Sequence, residues 1–104
     1  DEQIKTSGYR VSPTEVEETL LASGLVSEAV VFGIPHDSLG QAIVVLAVSQ
    51  TEQASTKLLE YCREQLPTYM VPQVIEIRDT LPRNPNGKLD RMSLRAELGA
   101  VETP

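Results

Sequence analysis

An α+β fold, a small sheet covered by helices, is what this sequence predicts. Three observations carry that expectation. Residues 26–34 and 41–49 form two successive apolar, β-branched runs; Ser12-Pro13-Thr14-Glu15 reads as a capping box ahead of an amphipathic helix; and Leu58, Leu59, Cys62 and Leu66 make a second helical stripe. The predicted order is ββαββαβα.

Taken in order, residues 2–11 read as two short strands around Thr6-Ser7-Gly8, where glycine permits the positive φ of a tight turn. Ser12 caps the first helix, Pro13 fills its first position, and Val16, Leu20 and Leu21 face inward before Gly24 stops it, a helix of about residues 13–23. The two apolar runs, joined by Pro35-His36-Asp37 and closed at Gly40, are expected as antiparallel neighbours at the centre of an about three-stranded sheet. Ser55 is the expected cap of the second helix, and Pro67 and Pro72 bracket an irregular connection. Residues 73–78 alternate Val74, Glu76 and Arg78 against Ile75 and Ile77, a third strand with one wetter face. Asp90 can then cap a last helix whose Leu94 and Leu98 lie four apart. Two layers follow, with the helices over one face of the sheet.

Composition narrows the function classes. The chain has 104 residues, enough for one modest core but short for an enzyme with its own nucleotide pocket. A net charge of −6 argues against general nucleic-acid binding, which needs clustered cations. The cations that exist lie near the two ends, Lys5 and Arg10, then Arg83, Lys88, Arg91 and Arg95, an arrangement that suits an anionic small ligand. No apolar run approaches the ~20 residues of a membrane span, no signal peptide is visible, and a reducing cytoplasm is the default compartment. The lack of an initiator methionine suggests a fragment.

Few residues invite chemistry on their own. Cys62, the sole cysteine, falls on an apolar helix face and reads as a core thiol; no metal constellation accompanies it. His36 reads as a surface loop histidine, and Glu17-Glu18 as a solvated helix face. Lys88 follows Asn84-Pro85-Asn86-Gly87, a composition that favours an exposed turn. It is either a solvated lysine in a connection or a mobile cation that neutralises negative charge developing in a site outside this chain.

Three segments together narrow the choice. Asp1-Glu2-Gln3-Ile4-Lys5-Thr6-Ser7-Gly8-Tyr9-Arg10-Val11-Ser12-Pro13 with Glu15-Val16-Glu17, then Leu66-Pro67-Thr68-Tyr69-Met70-Val71-Pro72, then Leu81-Pro82-Arg83-Asn84-Pro85-Asn86-Gly87-Lys88-Leu89-Asp90-Arg91 occur in sequence. They resemble, in the expected order, the C-terminal domain of the AMP-forming adenylating superfamily of acyl-CoA synthetases, adenylation domains and luciferases. Ser12-Pro13 looks more like the acyl-CoA synthetases, since peptide-synthetase domains tend to carry Glu-Leu there.

The resemblance implies a mobile lid domain at residues 1–98, a tail at 99–104, and a large ATP- and acyl-binding domain that this chain lacks. It implies two steps, a carboxylate attacking the α-phosphate of ATP and then a thiol taking the acyl group. Lys88 is the implied catalytic lysine of the first step, Asp1 the hinge, and Lys5 and Arg10 lie near the nucleotide. Ser7, Gly8 and Tyr9 would line the pantetheine tunnel of CoA after the domain turns. ATP, CoA and a carboxylic acid are the implied substrates, with Mg2+ bound mainly through ATP and none expected in the isolated domain. The implied partner is the chain's own N-terminal domain, with no nucleic acid and no membrane span. The domain alone is expected to be inactive. The competing expectations are an adenylation domain that loads carrier-protein pantetheine, and a binding module of the same fold without catalysis.

Overall fold

The computed structural model describes residues 3–102, so the expected hinge Asp1 lies outside the described residues. The fold is α+β in the order ββαββαβα, and one strand organises it. Strand β4 (Gly40–Val48) pairs antiparallel along its full length with β3 (Glu28–His36), from Glu28↔Val48 to His36↔Gly40. Its other edge is shared between two partners. The hairpin of β1 (Ile4–Thr6) and β2 (Tyr9–Val11) joins it at Thr6↔Gly40, while β5 (Val74–Arg78) runs parallel to it from Val44↔Val74 to Val48↔Arg78.

The three expected central strands are therefore present, and the N-terminal hairpin extends them into one five-stranded sheet. Only β4 is central. Among the described residues no strand pairs with the outer edge of β3, which corrects the expectation that both apolar runs form the centre.

Helices lie on both faces, not on one. Helices α1 (Pro13–Ala22) and α2 (Ala54–Gln65) bury Val16, Leu20, Leu58 and Cys62 against Ala29, Val31, Ile43, Val45 and Ala47. On the opposite face, Val30, Phe32, Ile34, Val44, Leu46 and Val48 are covered by Leu81 and by Leu94 of helix α3 (Arg91–Glu102). The signal lay in the strands themselves. Residues 42–48 are all buried, and an unbroken apolar run without alternation is the mark of a strand covered on both sides.

Local chemistry sets the helix ends. Ser12 Oγ accepts the Glu15 amide at 3.3 Å, Pro13 opens α1, and Gly24 follows its end at φ +75°. Asp90 Oδ1 accepts the Ser93 amide at 3.0 Å and caps α3 as expected. Helix α2 starts two residues earlier than a Ser55 cap requires: Gln53, at φ +56°, occupies the cap position, and the buried Ala54 docks the first turn. In α1 the inward set differs too. Leu21 is 45% exposed, whereas Glu17, expected in solvent, is buried.

The hairpin is fastened to the sheet by close packing. A Cβ on Gly33 would stand 2.9 Å from Ile4 Cγ2 and from Gln41 Nε2. Gln41 cannot move away freely, because its Oε1 accepts the Lys5 amide at 2.7 Å. Gly33→Val should cost about 1–3 kcal/mol, the range for overpacking a filled core, and a urea titration will read it as a lower midpoint.

Burial in the α2 face pushes the Cys62 thiol up to about 11. A thiol reagent at pH 8 should therefore spare the folded chain and label it only once urea unfolds it. Because the folded state holds this proton more tightly, its contribution to stability is complete below the ordinary value of 9.0 and lost as the pH rises towards about 11. Comparing urea midpoints across that window with those of Cys62→Ala, which lacks the titrating group, checks it.

Candidate functional site

Two loops carry the residues singled out in the sequence. The first is the turn between β1 and β2. Ser7 at φ +53° and Gly8 at φ +84° are successive left-handed residues, the geometry of a two-residue hairpin turn whose twist matches the strands. The Ser7 amide donates to Leu39 O at 2.8 Å, docking the turn on the tip of the β3–β4 hairpin. That tip is itself shaped by His36, whose Nδ1 accepts the amides of Ser38 and Leu39 at 3.1 and 3.2 Å. His36 is exposed, as expected, but it is the last residue of β3, paired with Gly40, and not part of the loop that its ring shapes.

No atom lies within 4 Å of where a Gly8 Cβ would be. The glycine is needed for its φ, and the space above it is open. Next to it Tyr9, 52% exposed, stacks on Tyr69 with ring centroids 3.9 Å apart and planes 12° apart. Tyr69 belongs to the short 3₁₀ turn Thr68–Met70, so the first and second sequence motifs meet as one flat aromatic wall. The sequence held no sign of this pairing, since sixty residues separate the two rings.

Lys5 and Arg10 stand directly opposite one another on the hairpin, both exposed. Like charges in this register repel, by up to about 1 kcal/mol, and an anion between them would offset that. They share the hairpin with Gly8 and are not part of the loop that carries Lys88.

That second loop is closed several times over. The Gly87 amide donates to Asn84 O at 2.9 Å and the Asn84 amide to Lys88 O at 2.8 Å, while Asn84 Oδ1 accepts the amides of Asn86 and Lys88 at 2.9 and 3.2 Å. Gly87 takes φ +83°, and Arg83 bridges Leu89 across the neck. The backbone of Lys88 is therefore tied down and its side chain is exposed. Among the described residues that side chain makes no hydrogen bond or ion pair.

The other cations near it are differently placed. Arg83 pairs with Glu28 at the start of β3 and donates from Nη1 to Gly87 O at 2.8 Å. Arg91 forks onto Glu17, Nη1 to Oε2 at 2.8 Å and Nη2 to Oε1 at 2.9 Å, and these bonds hold the guanidinium more firmly charged than usual. Glu17 Oε2 also accepts the Val31 amide on the free edge of β3, at 2.9 Å. Arg95 lies over the Phe32 ring at 5.1 Å. Arg83 and Arg91 are thus matched internally and Arg95 rests on Phe32, so the basic cluster seen in the sequence is not a ligand surface as a whole.

Glu17 is the residue that the sequence reading missed. Its spacing of three from the buried Leu20 places it at the edge of the inward face of α1.

The two loops lie at opposite ends of β3. One is docked at Leu39 just beyond His36 and the other is tied to Glu28, and a nine-residue strand covers roughly 27 Å. Among the described residues no group of three or more His, Cys, Asp and Glu could hold a metal ion, and no helix is long and apolar enough to cross a membrane.

A family model described as the AMP-binding enzyme C-terminal domain matches residues 15–88. The chain is 37% identical over 103 residues to a long-chain-fatty-acid–CoA ligase of Yersinia pestis, a match that covers 98% of this chain and 18% of that protein. It is 39% identical over 103 residues to gramicidin S synthase 2 of Brevibacillus brevis, covering 99% of this chain and 2% of the synthase. The Mycobacterium tuberculosis fatty acyl CoA synthetase structure superposes with a TM-score of 0.85 at 31% identity, over 95% of this chain and 20% of that one. The chain spans less than a fifth of the length of the ligase it matches.

Proposed function

The chain belongs to the family of AMP-binding enzyme C-terminal domains, and from that premise we propose that it is the mobile lid, residues 1–98 followed by a tail at 99–104, of an AMP-forming acyl-CoA synthetase-like ligase. Lys88 is its catalytic lysine for making the acyl-adenylate. In that step a carboxylate must approach the α-phosphate of ATP, and two anions repel. An ammonium delivered between them where water is excluded offsets the repulsion, and a compact point charge with three donors suits the task. Mg2+ would arrive with the ATP.

After adenylation the domain turns, with Asp1 as the hinge, and presents the Ser7-Gly8-Tyr9 turn to the pantetheine arm of CoA. The open space over Gly8 and the flat wall of Tyr9 suit a narrow passage for a slender chain. Lys5 and Arg10 lie near the nucleotide, where their mutual repulsion is relieved by phosphate. The observation that carries this reading is the separation of the two loops along β3. Surfaces so far apart cannot serve one small site together, so they serve it in turn.

A second acceptor is favoured by one observation. The identity to gramicidin S synthase 2, at 39%, is level with the 37% to the fatty-acid ligase, so pantetheine on a carrier protein suits the same turn as CoA does. The two acceptors share the pantetheine thiol.

In the intact ligase, Lys88→Ala should lower acyl-adenylate formation by at least about 100-fold, the scale of one lost charge-stabilising group. Thioester formation from supplied acyl-adenylate should persist; equal loss of both half-reactions in a folded protein would refute the assignment. Gly8→Trp should do the reverse, sparing pyrophosphate exchange and blocking thiol transfer. Gly8→Asn, which tolerates the left-handed backbone, separates the side chain's bulk from turn strain and should give the milder form of the same pattern.

A further inference from the structure

Lys88 sits between two arginines, five residues before it and three after, and both are bound to glutamates of other elements. We propose that the pairs Arg83–Glu28 and Arg91–Glu17 are positioning devices for Lys88, holding its turn as a rigid finger; this rests on the adenylation role given to Lys88 above.

The contacts form two continuous connections from the sheet to the lysine. In the first, one guanidinium takes both Glu28 on β3 and the carbonyl of Gly87, the residue that precedes Lys88. In the second, the Val31 amide of β3 donates to Glu17, Glu17 receives the fork of Arg91, and Arg91 opens α3 one residue after Asp90. The Asp90 amide in turn donates to Pro82 O at 2.9 Å, which closes the base of the loop. Both connections end on the same strand, so the finger moves with the sheet as one body.

The chemistry explains why arginines serve here. A planar fork that makes two parallel bonds fixes orientation as well as distance, which a single ammonium cannot do. Glu17 is 7% exposed, so its charge is held in a place where loss of the partner is felt. Matching both arginines also leaves Lys88 as the cation of this loop whose charge is not already engaged within the domain. A lysine delivered to a site in another domain has four rotatable bonds of its own, and a misplacement of about 1 Å can cost 100-fold in rate. Fixing its backbone removes the larger part of that error.

The test uses the intact ligase and measures the two half-reactions separately. Arg91→Met and Arg83→Ala should each lower the kcat of adenylation about tenfold to a hundredfold, with the KM for ATP within about twofold of its starting value. Thiol transfer from supplied acyl-adenylate should stay unchanged, because the Gly8 turn is docked elsewhere. Arg91→Lys, which can make one bond to Glu17 in place of two, should fall between Arg91→Met and the unaltered enzyme. Glu17→Gln keeps an oxygen for the Val31 amide, so the domain stays folded, and it should show the same split in smaller measure. A role in folding alone would depress both half-reactions together, and that result overturns the proposal. Lys88→Ala run beside these variants separates the two readings. Adenylation lost in Lys88→Ala but kept in Arg83→Ala and Arg91→Met rejects the positioning role alone, and adenylation kept in Lys88→Ala rejects both.

Discussion

The carboxylate of Glu17 is the junction on which the layers of this domain depend. It belongs to a helix on one face of the sheet, accepts an amide from the sheet's free edge, and receives the guanidinium of Arg91 from the helix on the other face. A buried carboxylate is costly unless its lone pairs are filled, and here three donors fill them. The same bond satisfies the Val31 amide, one of those an edge strand would otherwise offer to another chain. One side chain therefore connects three layers and occupies one amide on the open edge of β3.

Around that junction the domain divides into two working ends. The Gly8 turn is docked on the tip of the β3–β4 hairpin, and the Lys88 turn is tied to the opposite end of β3. Each loop is internally closed by its own backbone bonds, so the sheet acts as a stiff spacer between two prepared surfaces. On the function proposed above, a domain built this way would offer one surface or the other to a common site by turning as a whole.

Much of this was legible in residues that act locally. Ser12, Pro13 and Gly24 set the limits of α1 through capping and φ, and Asn84, Gly87 and Asp90 shape the Lys88 turn and the helix behind it. The order of elements and the exposure of Lys88 followed from such signals. Glu17 is buried against its charge because Arg91 and the Val31 amide satisfy it, partners far along the chain, and helices cover both faces because the unbroken apolar runs of β3 and β4 are buried on both sides. The start of α2 was displaced because Gln53, which carries no turn signature, adopts the left-handed backbone.

By itself the sequence determined the elements, their order and the two turns, since each depends on residues within a few positions of one another. It also determined the family, through three motifs that together span nearly the whole chain. Only the tertiary structure decided that the hairpin joins the main sheet, that Tyr9 rests on Tyr69, and that Glu17 finds Arg91 across 74 residues. Those pairings depend on which surfaces approach once the sheet has formed, and no local propensity encodes the distance between residues so far apart in the chain.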